Sequence, residues 1–295
     1  MPIFGRVLTA MATPFTSDRD LDLDGAQRLA SHLVEHGSDG LVVAGTTGES
    51  PTLGHDETLD LFSAVVDAVG GRAPVVAGVG KNDTAATMRL AAEAAGRGVH
   101  GLLVVTPYYN KPSQRGLEHH FTLVARAVDL PVVLYNIPGR TAREIQPETL
   151  LRLAESVENI KGVKDAVGDL TKASWLAARK PDDFDILSGD DASTLPLLAV
   201  GGVGVVAVSS HLVGPDMAAM VEVFPTDPGK AREIHLRLLP LMTALMTLDP
   251  SPGPLKAALR QLGLPGGPVR PPLVDVDPDG DRAVADALAA AGVTR

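Results

Sequence analysis

Lys164 stands in a run formed by Ile160, Gly162, Val163 and Ala166, residue types that ask it to enter an apolar interior. Burial disfavours an ammonium, so a lysine placed there gives up its proton more readily, and the neutral amine can attack a carbonyl carbon. The alternative is a structural ion pair with Asp165 or a cap on the strand end. Position alone leaves both open. Lys161, three residues earlier, faces the opposite way along an extended run and reaches solvent.

Other reactive types fall at comparable places. Tyr135 opens YNIPGRT. A phenol beside an amine can supply the acid and base that Schiff-base formation requires, or it can be a core tyrosine with its hydroxyl satisfied. All three tyrosines (Tyr108, Tyr109 and Tyr135) lie at the ends of strand-like runs, which favours the first reading. Arg140 follows a Pro-Gly turn, where its planar fork suits a two-point clamp on a carboxylate; a plain surface arginine is the alternative. The segment GTTGES, residues 45–50, offers loop N–H groups, the Thr46 and Thr47 hydroxyls and the Glu49 carboxylate. That equipment suits a small carboxylate ligand, and the same letters fit a helix capping box. Three further patterns imitate chemistry found elsewhere. His32 to His36 reads H-x-x-E-H, an inverted zinc-protease signature, but on an outer helix. Gly202 to Ala207 reads G-x-G-x-x-A but runs into a strand instead of a helix. His119-His120 sits amid charges and reads as a solvated helix face.

The elements that must position these groups are legible as alternating runs. Residues 6–10, 39–45, 74–80, 101–106, 131–137, 160–166, 184–189 and 203–209 are apolar on both faces. This marks parallel strands covered on both sides. Helical-period segments such as 56–69 and 84–97 lie between them. Eight strands, each followed by a helix, predict an α/β fold of the (β/α)8 TIM-barrel type, with an open doubly wound sheet as the competitor. In such barrels catalytic groups sit at the C-terminal ends of strands and in the loops that follow. Thr46, Tyr109, Tyr135, Lys164 and the segment 188–191 all fall there. After Phe224 no strand pattern follows, and 228–248, 254–263 and 281–292 read as helices. The expected organisation is a catalytic barrel over 1–224 and a small C-terminal helical domain over 225–295.

Composition narrows the function class. A net charge of −10 over 295 residues argues against a nucleic-acid surface and against attachment to anionic lipid. No run approaches the ~20 apolar residues of a membrane span, and MPIFGRVLTAMATPF does not read as a signal peptide. The absence of cysteine excludes a disulfide framework, a thiolate nucleophile and cysteine-ligated metals. A cytoplasmic enzyme is the expectation.

Taken together, GTTGES, TPYYNKPSQRGL, YNIPGRT, GVKDA, LSGDD and PGPLKAALRQLGL resemble, in order and spacing, the dihydrodipicolinate synthase family of pyruvate-dependent class I aldolases. The resemblance covers nearly the whole chain. It implies the barrel with its helical appendage, a homotetramer built as a dimer of tight dimers, and no metal or other cofactor. It implies that pyruvate, held as a Schiff base on Lys164, condenses with aspartate 4-semialdehyde to give 4-hydroxy-tetrahydrodipicolinate, on the way to diaminopimelate and lysine. By matched position, Tyr135 is the proton shuttle, and Thr46 is the relay hydroxyl between Tyr135 and a Tyr109 that crosses the dimer interface into the neighbour's site. Thr47 matches the residue that holds the pyruvate carboxylate, Arg140 the one that meets the semialdehyde carboxylate, and Gly189 and Val206 line the pocket. The family's common residue at the last position is Ile. Rival readings are N-acetylneuraminate lyase or a keto-sugar-acid aldolase, which resemble GSTGE more than GTTGE and generally lack the YN-x-P-x-R tract. A non-catalytic ligand-binding barrel would have no need of a nucleophile with its relay. In lysine-inhibited members the effector shell matches Ser50, Pro51, His55, Thr58, Asn82, Ala86 and Tyr108. Ala86 replaces a glutamate there and Thr58 a histidine, so weak or absent inhibition by lysine is expected.

Overall fold

The eight apolar runs form parallel strands that close on themselves in chain order in the computed structural model, which describes residues 2–293. The strands are β1 (Val7–Ala10), β2 (Gly40–Val43), β3 (Val75–Gly78), β4 (Gly101–Val105), β5 (Val132–Asn136), β6 (Ile160–Asp165), β7 (Asp185–Ser188) and β8 (Gly204–Ala207). Each pairs with the next, and β8 pairs back onto β1 with Leu8 opposite Val206. This is the expected (β/α)8 barrel, and it excludes the open sheet.

Because side chains alternate across a strand, the ring has two faces. Leu8, Ala10, Val42, Val76, Leu103, Val133, Tyr135, Leu187 and Val206 form one cluster, the filling of the barrel. Val7, Leu41, Val43, Val75, Leu102, Leu134, Val163, Ile186 and Val205 belong to a second cluster shared with the helices. Burying each such side chain contributes roughly 1.5–3 kcal/mol, which explains why these strands read apolar on both faces.

The outer layer comprises α1 (Leu23–Glu35), α2 (His55–Val69), α3 (Thr84–Ala95), α4 (Gln114–Ala125), the short α5 (Pro138–Thr141), α6 (Pro147–Ser156), α7 (Leu170–Ala177), α8 (Thr194–Ala199) and α9 (Ser210–Val223). Several begin at side-chain caps. Asp22 accepts from Gly25 N–H at 2.7 Å, Asp83 from Ala85 N–H at 2.8 Å, and Ser113 from Gly116 N–H at 3.2 Å; each cap is worth about 1 kcal/mol. The pair His119-His120 departs from its expectation. His119 is exposed, but His120 shares the buried stripe of Leu117, Phe121 and Val124, and its Nδ1 lies 2.9 Å from Thr84 Oγ1. Burial pushes its pKa down to about 4. His32 and His36 stack on each other on α1 with ring centroids 4.0 Å apart.

Past the barrel come α10 (Pro228–Thr247), α11 (Gly253–Gln261) and α12 (Pro278–Ala290). α10 packs on α9 and α12, and α11 on α12. The Pro/Gly-rich segment between α11 and α12 carries no regular element. Among the described residues, no helix is long and apolar enough to cross a membrane.

Candidate active site at the carboxyl end of the barrel

Strand register brings the two principal groups together. Tyr135 on β5 is directly opposite Lys164 on β6, and Lys164 is opposite Leu187 on β7. The pairing of β5 and β6 slips between Val132 and Val133, so Ile160 faces the first and Gly162 the second. That irregularity leaves Lys161 outside, its Nζ 2.5 Å from Asp183, while Lys164 points inward. Lys164 is 5% exposed, and its Nζ stands 4.3 Å from the centroid of the Tyr135 ring. Among the described residues no carboxylate pairs with it. Asp165, the alternative partner, instead accepts from Val167 N–H at 2.9 Å. Gly189 completes the wall: a Cβ there would lie 2.8 Å from Ala166 Cβ and 3.1 Å from Lys164 Cγ, so only glycine leaves the lysine stem its place.

Electrostatics follow from this burial. Desolvation lowers the Lys164 pKa to about 8; the Asp191 charge opposes the shift and Arg140 adds to it. In the sequence Asp191 stands out only as part of the segment 188–191 that ends the seventh strand, with no role of its own. It is buried, takes the backbone N–H of Val208 at 3.1 Å and of Ser209 at 2.5 Å, and so ties the end of β7 to that of β8. Burial also raises the Tyr135 pKa to about 12, with the Arg140 charge and a hydrogen bond from Thr46 pulling the other way. Tyr135 is therefore a neutral phenol across the physiological range, hydrogen-bonded to the Thr46 hydroxyl.

Loops hold the remaining groups. The Tyr135 carbonyl accepts from both Thr106 N–H at 3.0 Å and Thr106 Oγ1 at 2.9 Å, locking β4 to β5. Asn136 braces the following turn: its Nδ2 donates to Ile145 O and its Oδ1 accepts from Ile145 N–H, both at 2.9 Å. Arg140 projects from that braced turn, exposed, with its charge felt at Lys164 and Tyr135. Thr47 and Val206 are buried, the latter inside the barrel beside Tyr135 in the same cluster.

Tyr109 is the group the single chain does not bring in. It is 88% exposed and has φ 72°, with Lys111 two residues on at φ 48°. Non-glycine residues in the left-handed region cost roughly 1–2 kcal/mol each. The loop is nonetheless anchored, by Asn110 Nδ2 to Asn82 O and by Arg143 to Lys111 O, both at 2.8 Å.

Glu49 settles the capping question. The capping carboxylate of α2 is Glu57, which accepts from Gly54 N–H at 2.8 Å. Glu49 instead points inward, its Oε1 2.6 Å from Lys256 Nζ on α11 and its Oε2 accepting from Arg270 N–H at 2.9 Å.

Comparison with known proteins gives a consistent result. A family model described as the dihydrodipicolinate synthetase family matches residues 3–291. A protein of Moorella thermoacetica named 4-hydroxy-tetrahydrodipicolinate synthase is 54% identical over 291 residues, 98% of this chain and 99% of the relative. One of the same name from Acidothermus cellulolyticus is 56% identical, over 99% of this chain and 94% of its own. The crystal structure of the dihydrodipicolinate synthase of Cyanidioschyzon merolae with lysine bound superposes with a TM-score of 0.97 at 45% identity, covering 100% of both chains.

Proposed function

This chain belongs to the dihydrodipicolinate synthetase family, and from that premise we infer that it condenses pyruvate with aspartate 4-semialdehyde to give 4-hydroxy-tetrahydrodipicolinate, a lyase reaction of diaminopimelate and lysine biosynthesis. The observation that carries the residue-level reading is Lys164: buried, without a paired carboxylate, and in register with Tyr135. At pH 7.5 an amine of pKa about 8 is roughly one quarter neutral, against about one part in a thousand at 10.5.

The neutral Lys164 amine adds to C2 of pyruvate; the nitrogen loses a proton and the carbonyl oxygen gains one. Proton delivery from the Tyr135 phenol to that hydroxyl expels water and leaves an iminium. Thr46, hydrogen-bonded to the phenol, supplies the route by which its proton is restored. Loss of a C3 proton then gives an enamine, whose C3 attacks the aldehyde carbon of the second substrate, and the aldehyde oxygen takes up a proton. The amine of that substrate adds to C2 and displaces Lys164, closing the ring. Thr47 holds the pyruvate carboxylate, Gly189 and Val206 shape the space around it, and Arg140 receives the carboxylate of the semialdehyde.

Tyr109 completes the relay of a neighbouring copy. Its exposure and its left-handed backbone in an anchored loop support that role, since such strain persists where surroundings or function hold it. The working assembly is a homotetramer, a dimer of tight dimers. Residues 1–224 form its catalytic barrel and 225–295 its helical domain, and it works in the cytoplasm, where both substrates are soluble metabolites. Two experiments test the reading. Borohydride added with pyruvate should trap the adduct on Lys164, located by peptide mass; labelling elsewhere, or none, overturns the mechanism. A coupled assay should show turnover with aspartate 4-semialdehyde, and turnover with N-acetylneuraminate alone would move the chain to the rival aldolases.

A further inference from the structure

The Glu49–Lys256 pair is the most deeply buried ion pair described in the molecule, with side chains 1% and 0% exposed. It joins the segment that carries Thr46 and Thr47 to α11, in the last part of the chain. Lys256 Nζ also donates to Pro268 O at 2.9 Å and stands 4.1 Å over the Phe15 ring, so each face of the ammonium is occupied. Arg270 covers the same ring at 4.2 Å and is itself fixed by Glu57 at 2.6 Å. On the other side, Glu49 Oε1 has the Lys256 ammonium as its sole polar partner among the described residues.

The backbone at Glu49 shows what the pair restrains. Its φ of 55° and ψ of 36° are left-handed, a conformation a glutamate does not choose unaided. In that conformation its N–H donates to the Thr46 carbonyl at 3.0 Å, closing the turn that aims the two threonines. Gly48 O is held from beneath by Thr13 Oγ1 at 2.6 Å. An apolar pair of similar volume would fill the same space without the desolvation that two buried charges incur. A directional, charge-assisted contact at this one place suits a loop whose orientation matters.

We propose that Lys256, acting through Glu49, is a positioning residue for the reaction at Lys164, holding the Thr46–Thr47 turn in the geometry that binds pyruvate and orients the Tyr135 phenol. This rests on the roles given above to Thr46 and Thr47. Lys256 touches no reacting atom; it sets the place of groups that do.

The test uses the full chain and three variants: Lys256→Met, Glu49→Gln, and Arg237→Met as a comparison. Arg237 ties α10 to α9 through Asp216 at 2.6 Å and to the Ala291 carbonyl at 3.0 Å, with no contact to the threonine turn. The first two variants should raise the pyruvate KM about tenfold or more and slow borohydride trapping of Lys164 at saturating pyruvate, as expected when a charge-assisted contact is lost. Arg237→Met should lower the melting temperature and leave KM unchanged. Should Lys256→Met fail to fold, Glu49→Gln, which keeps shape and the bond from Arg270 N–H, decides the matter. Wild-type KM and kcat in folded Glu49→Gln or Lys256→Met overturn the proposal, as does an equal rise in KM from Arg237→Met. Absence of trapping in the wild type would remove the underlying assignment of Lys164 instead; normal trapping with unchanged KM removes only the role of Lys256.

Discussion

Replacing Lys164 by Met keeps an unbranched stem and removes the charge, so it isolates what the barrel expends to hold an amine in its interior. The fall in pKa from 10.5 to about 8 corresponds to about 3 kcal/mol at 1.36 kcal/mol per unit. The folded state disfavours the ammonium. Between pH 8 and 10.5 the unfolded chain holds a proton that the folded chain has released, so stability at this site rises with pH across that window. Below pH 8 the wild type bears the full penalty, and Met bears none at any pH. The variant should therefore be inactive, untrapped by pyruvate, and more stable than the wild type by about 3 kcal/mol at pH 7, narrowing to about 1 kcal/mol at pH 10. Urea denaturation of both proteins at the two pH values measures the gap. A Met variant less stable at pH 7, or a gap that does not change with pH, would show that burial is not what depresses the amine.

Tyr109→Phe should lower turnover while leaving the melting temperature and the mass of the assembly unchanged; wild-type turnover would remove Tyr109 from the relay. Lysine should inhibit only weakly, because the loss of a hydrogen bond to a charged group at Ala86 costs roughly 1.5–3 kcal/mol, about 10- to 150-fold in affinity. The polar neighbours do not replace it, since His55 is engaged with Glu93 at 3.1 Å; half-inhibition at submillimolar lysine would refute this. His211 is buried, with Nε2 accepting Ala12 N–H at 3.0 Å and Nδ1 2.7 Å from Val208 O. Burial lowers its pKa to about 4, so the unfolded chain binds a proton first and stability should fall as pH drops from about 6.5 towards 4. His211→Gln should flatten that limb of a stability–pH curve, and an unchanged slope would assign it to other groups.

The barrel is legible because every strand is covered on both faces, so the runs are dominated by apolar residues, and the ends of the observed strands lie within a residue or two of them. Lys164 stands out in the sixth run because its alternation puts it on the face opposite Lys161, among residue types that belong in an interior, although Asp165 beside it leaves an ion pair as the alternative. Tyr135 followed from strand adjacency, which a closed parallel ring makes regular. What stayed hidden depends on contacts distant in sequence. Asp191 looks like one of two loop aspartates until β8 brings the Val208 and Ser209 N–H groups onto it. Glu49 fits a capping box by letters, and only the arrival of Lys256 gives its carboxylate another task. His120 is masked in the sequence by the charges around it, although its helical phase puts it with Leu117 and Phe121 on the buried stripe.

A ring closed in chain order also sets a timetable. β1 waits for β8 before its second edge is covered, because Val7 to Thr9 pair with Val205 to Ala207. During synthesis, which proceeds at about 5–20 residues per second, most of the sheet is made while one edge still lies open, and such edges are where nascent chains associate wrongly. Contacts between distant parts of a chain also slow folding, since loop closure must precede the gain. The Glu49–Lys256 contact forms later still, so the threonine turn is among the last parts to settle. A chain stalled or cut between β8 and α11 would have its ring and its buried lysine but not the anchor of that turn. The order of these contacts along the chain thus predicts that the catalytic end of the barrel matures after the barrel itself.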